Sequence, residues 1–162
     1  MILSSASPSL APGGGLLLAA VALCLYVLAV VPALVEGASW RRFASAALLG
    51  AFALHLLLLV IDIGGLAGGP GTAGHGMRWG FGPVLSMTLW LMIAVHTVES
   101  RFLPLPSVRP VLALAGIAGI VAAVLFPGDE RHASSALAPL HFALGVATYG
   151  LFAAAVLHAS LL

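Results

Sequence analysis

Six histidines, His55, His75, His96, His132, His141 and His158, are the side chains of this sequence best equipped for chemistry. Imidazole can stay neutral in an apolar medium, bind a transition metal through either ring nitrogen, or hydrogen-bond a neighbour. None of the six belongs to an H-E-x-x-H or H-x-x-E-H pattern, and no carboxylate pair suits a zinc or di-iron site. Two roles remain. One is haem ligation, in which iron held by two imidazoles needs both at one level on facing helices with the porphyrin between them. The other is a hydrogen bond between helices, the commoner fate of a lone intramembrane histidine. The single cysteine, Cys24, allows neither an internal disulfide nor a CxxC thiol pair.

Composition decides the medium in which those histidines sit. Of 162 residues, 62% are hydrophobic and 7% charged, with a mean hydropathy of +1.17, whereas a soluble domain carries roughly a quarter of its residues as charge. All six basic residues are Arg, and Asn and Gln are absent. Too few polar side chains exist to cover an outer surface, which leaves lipid as the solvent. A net charge of +1, with the Arg scattered through short connections, excludes nucleic-acid binding.

The hydropathy pattern predicts an all-α, polytopic membrane helical bundle, a single transmembrane domain over 1–162 with five transmembrane helices, at about 15–34, 43–63, 81–98, 110–126 and 139–162. The first run, about 20 residues, matches ~30 Å of hydrocarbon. Residues 1–14 contain no Lys or Arg, so it reads as a retained helix and not as a cleaved signal peptide. Pro83, Pro110 and Pro139 fall in first turns, where a missing N–H has no partner to lose, and Pro104, Pro106 and Pro127 mark stops. The Gly-rich stretch 64–80 and the polar stretch 127–138 are expected to lack regular structure. Ala115, Gly119 and Ala123, four apart, read as a small-residue stripe that lets another helix approach closely. The last helix runs to Leu162 with no basic anchor beyond it, as in the N-terminal part of a protein with further spans.

Loops on alternate sides carry Arg41, Arg42, Arg101 and Arg109 against Arg78 and Arg131, and the Arg-rich side is expected to be cytoplasmic. The N-terminus then faces out and the C-terminus in. At ~1.5 Å per residue, His55 lies about 18 Å above the cytoplasmic boundary and His141 at the outer rim. On the same count His96 and His158 come within about 5 Å of each other in depth, near the inner third. The spacing therefore offers an outer group, His141 with His75 or His132, and an inner pair, His96 with His158; His55 has no partner of its own. Asp62 and Glu99 read as solvated boundary charges, Trp40 and Trp79 as interfacial anchors, and Met77, Met87 and Met92 as packing.

Three segments resemble a known family. SWRRFASAALLGAFALH, 39–55, sets a Trp-Arg-Arg link fifteen residues ahead of a histidine; FGPVLSMTLWL, 81–91, opens the third span; and PLHFALGVATYGLF, 139–152, puts a histidine eight residues before a tyrosine. In order and spacing, across nearly the whole chain, they are similar to the cytochrome c assembly protein family (CcsA-like), in particular its small inner-membrane branch without the tryptophan-rich haem segment. The resemblance implies an eight-span bacterial inner-membrane protein that handles haem b for cytochrome c biogenesis, alongside other maturation proteins and apocytochrome c. It also implies that His141 is the outer-face haem ligand and His55 the intramembrane one. Only five spans are present and no WGxxWxWD-type segment occurs, so the chain is expected to present haem and not to act as a haem lyase. A b-type haem electron-transfer subunit using His96 and His158, and a non-haem structural or transport protein, are the other readings the sequence leaves open.

Overall fold

The computed structural model describes residues 13–31, 38–63, 76–102, 108–132 and 137–161. The order of elements is α1 (Gly13–Val30), α2 (Ala38–Ile63), β1 (Gly76–Trp79), α3 (Phe81–Glu99), α4 (Arg109–Leu125), β2 (Asp129–His132) and α5 (Ala138–Leu161). The fold is an all-α bundle with one short antiparallel ladder. Arg42–Ile63 and Phe81–Glu99 are long and apolar enough to cross a membrane, and Gly15–Val30, Arg109–Leu125 and Leu140–Val156 are shorter apolar helices.

Three helices begin within one residue of where their prolines predict. Pro83 sits in the first turn of α3 and Pro110 at the start of α4, positions where the ring's fixed φ already suits a helix. The other two depart from expectation. α1 stops at Val30, short of Leu34, and Val31 continues it as a 3-10 turn, a common way for a helix to end. α2 starts at Ala38, five residues before Phe43, so Trp40, Arg41 and Arg42 belong to its first turns and not to a loop.

The two stretches expected to be irregular form the ladder in part. Met77 faces Arg131, Arg78 faces Glu130 and Trp79 faces Asp129. The opposite charges of Arg78 and Glu130 meet at 3.3 Å. Four-residue strands carry too little alternation to be read from sequence, and this pair is separated by the whole of α3 and α4. The ladder ties the residues just before α3 to those just after α4 at one end of the bundle. At the other end, Arg109 at the start of α4 donates to Ser45 Oγ near the start of α2, 3.1 Å away. The Arg residues therefore divide by end as the loop alternation predicts.

α1 packs on α2 and α4, and α3 packs on α2, α4 and α5; among the described residues α3 is the one substantial helix neighbour of α5. The seams are made of small residues. Ala19, Ala22, Tyr26 and Ala29 form the buried strip of α1, and Ala47, Ala51, His55 and Leu59, each four apart, that of α2. α4 buries Ala113, Gly116, Gly119 and Ala122. That spacing of three corrects the expected stripe: Ala115 and Ala123 are only partly buried, and Gly119 alone of the three lies fully in the seam. Small side chains let the helix backbones approach closely, which brings more atoms into van der Waals contact.

Candidate functional site

The buried strips of α1, α2 and α3 converge on three polar side chains. The Tyr26 hydroxyl lies 3.1 Å from His55 Nδ1, and Ser86 Oγ lies 2.8 Å from His55 Nε2. A neutral imidazole has one N–H donor and one bare acceptor, so in either tautomer one of these bonds is donated by the ring and the other accepted. The phenol stands edge-on to the imidazole, with ring centroids 5.9 Å apart and planes at 89°. Tyr26, His55 and Ser86 are each at most 1% exposed.

α4 closes the fourth side. A Cβ at Gly116 would overlap the Tyr26 ring, and one at Gly119 would press on Ser86 Cα at 3.2 Å and His55 Cε1 at 3.4 Å. Both glycines are therefore notches for polar side chains on other helices. Beside this cluster, Trp90 of α3 stacks on Phe52 of α2, rings 4.7 Å apart, and its indole N–H donates to the Phe52 carbonyl at 3.0 Å. Trp90, isolated in the sequence, is thus a second α2–α3 link.

A histidine that ligates haem iron needs a free ring nitrogen and a flat space beside it. His55 has neither. Both nitrogens are engaged, and Gly119 and Ser86 close on the ring edge. Iron at His55 would have to displace Ser86 or Tyr26, so in this arrangement His55 does not fit as a ligand and serves instead as the clasp of three helices.

The other histidines differ in setting. His96 is 6% exposed and lies on the face of α3 that also buries Ser86 and Ile93. α5 meets α3 elsewhere: a Cβ at Gly150 would contact the Leu91 side chain at 2.9 Å, and Leu91 is about 140° around the helix from His96 at 3.6 residues per turn. The backbones of His96 and His158 come within about one turn in level, ~4.5 Å, but His96 sits on a face turned from that contact. The side chains of His158 and His132, and all of His75, lie outside the described residues, so the partners expected for His141 and His96 do too.

His141 is exposed, in the first turn of α5 at the ladder end. Its ring touches Phe142, centroids 6.0 Å apart, and among the described residues no hydrogen bond engages its nitrogens. Phe142 in turn leans on Trp79 of β1, rings 5.2 Å apart and tilted by 50°. The Trp79 indole nitrogen is buried, with no hydrogen-bond partner among the described residues. An imidazole on an exposed apolar flank does fit haem ligation. His141 and His55 are not brought together: His55 is eight residues below the ladder end of α2, about 12 Å.

Sequence reasoning found both histidines and missed Tyr26, Ser86 and the indole of Trp79. The available signal was that Tyr26 and Ser86 are hydroxyls inside apolar runs, where an unpaired hydroxyl is costly. Among the described residues no cluster of three or more His, Cys, Asp or Glu could hold a metal ion. Comparison with known protein families, with characterised proteins and with solved structures gives no match.

Proposed function

We propose that this chain is a five-span protein of the bacterial inner membrane that handles haem for cytochrome c assembly, binding or presenting it at the outer face through His141. The observation that carries the haem part is the open imidazole of His141 between the exposed Leu140 and Phe142, on a helix packed along one side only. A haem macrocycle needs an apolar surface for its plane and an imidazole free to reach its iron. His141 offers both. His55 acts as the polar clasp that keeps α1, α2 and α3 in register beneath it.

The membrane part draws on length and surface. α1, α4 and α5 have 18, 17 and 24 residues, within the ~17–25 that span a bilayer. Leu17, Leu57, Leu114 and Leu151, on four different helices, expose their side chains outward, as lipid-facing residues do. With four Arg at one end and two at the other, the ladder end faces out. The N-terminus is then outside and the C-terminus cytoplasmic.

Haem would supply the iron and the planar ring; the chain's own residues hold and orient it, with other maturation proteins and apocytochrome c as the partners that receive it. No bond-making role is assigned to any side chain. Titration of haemin into the detergent-solubilised protein, with a pyridine haemochrome readout, tests this. The expected result is saturable uptake that weakens about tenfold or more in His141→Ala. Absence of uptake, or full affinity in that variant, overturns it. The closed Tyr26–His55–Ser86 cluster favours a second reading, a membrane subunit without haem, which absence of uptake would select.

A further inference from the structure

We propose that the indole N–H of Trp79 is the anchoring donor for a carboxylate of the ligand held at His141, so that the site recognises a planar apolar molecule bearing an acid group. This rests on the haem reading of His141 for the iron, though not for the acid. Three observations meet at the ladder end. Trp79 Nε1 is buried and has no hydrogen-bond partner among the described residues. Its ring is 5.2 Å from that of Phe142, and the Phe142 ring is 6.0 Å from that of His141. Among the described residues, one aromatic side chain thus separates an unpaired donor from an imidazole that makes no hydrogen bond.

A buried donor without an acceptor is costly, and a fold keeps one where something else supplies the acceptor. A tryptophan anchored in the interfacial belt would turn its N–H to headgroups, but this one is covered. Asp129, directly across the ladder from Trp79, does not accept the hydrogen. Phe142 is 51% exposed and its ring lies against the indole, so on this proposal it is the side chain that has to swing aside for a ligand seated at His141 to reach the N–H. A haem propionate, or the carboxylate of any similar tetrapyrrole, provides a charged acceptor, for which such a hydrogen bond is stronger than between neutral groups.

Three probes on the full-length protein in detergent separate the acid from the iron: haemin, haemin dimethyl ester, and iron-free protoporphyrin IX. The variant is Trp79→Phe, which keeps the ring against Phe142 and removes the donor; circular dichroism checks that it folds. The expected result is that Trp79→Phe weakens haemin and protoporphyrin about tenfold and leaves the dimethyl ester unchanged. Equal weakening of all three, no weakening of any, or failure of the wild type to bind any porphyrin overturns the proposal. His141→Ala is read in parallel. If it leaves haemin binding intact while Trp79→Phe still discriminates acid from ester, the iron-ligand reading fails and the Trp79 assignment stands.

Discussion

Ser86 on α3 stands 2.8 Å from Nε2 of His55 on α2, and that contact takes up the second of the imidazole's two nitrogens. With Tyr26 on the first, three helices share one neutral ring. Interhelical hydrogen bonds in membranes are each worth about 0.6 kcal/mol on average. Ser86→Ala and Tyr26→Phe are each expected to lower unfolding stability in detergent by about 1 kcal/mol, and His55→Ala by about 2–5 kcal/mol, because it leaves a cavity and two stranded hydroxyls. Because the two outer residues are joined only through the ring, the Tyr26→Phe/Ser86→Ala double variant should depart from additivity. Strict additivity would mean the cluster does not act as a unit.

Gly116 is the notch for the Tyr26 ring. Gly116→Ala is expected to cost about 1–3 kcal/mol, because the added methyl overlaps a ring with no room to move. Replacing Tyr26 by Leu in the same chain should recover part of that loss. Lack of any recovery in a thermal unfolding series would place the strain elsewhere.

The ladder end depends on two backbone approaches. A Cβ at Gly82 would strike the carbonyls of Ala122 and Phe126, and Gly128, at φ 75°, would strike the Trp79 carbonyl. Backbone cannot yield as a side-chain tip can. Gly82→Ala and Gly128→Ala should therefore loosen the contact of α3 and α4 at that end, read as faster hydrogen exchange at 76–79 and 129–132 with the opposite end unchanged. Equal exchange throughout would count against it.

In haemin titrations His141→Ala and His55→Ala are expected to differ. The first removes the open imidazole and weakens uptake; the second lowers stability but leaves affinity in the folded fraction unchanged, since neither nitrogen of His55 is available to iron. If His55→Ala abolishes binding while circular dichroism and melting remain native, the clasp assignment is wrong.

Orientation is checked by single cysteines in a Cys24→Ala background. Glu130→Cys in the ladder should react with an impermeant maleimide added outside intact cells, and Ser100→Cys, just beyond α3, only after lysis. The reverse pattern would invert the topology and put His141 on the cytoplasmic side.

The helices were largely legible because their signals are local. Pro83, Pro110 and Pro139 fixed three starts to within a residue, and apolar runs gave number and order. Departures came where local signals were weak. Trp40, Arg41 and Arg42 read as a polar link, yet long side chains of this kind continue a helix without strain, and α2 begins ahead of them. The ladder was invisible because its strands are four residues each and meet only after two intervening helices have turned the chain back on itself.

The sequence by itself determined the helices and the inventory of imidazoles, since hydropathy and proline placement act over neighbouring residues. Only the tertiary structure decided which imidazole is open. His55 and His141 look alike in sequence, each a histidine in an apolar run. Packing brings Tyr26 and Ser86, from two other helices, onto both nitrogens of His55 and leaves His141 on the uncovered flank of α5. A hydrogen bond is satisfied by whatever lies within about 3 Å in space, and that distance is set by how helices pack, not by the order of residues along the chain.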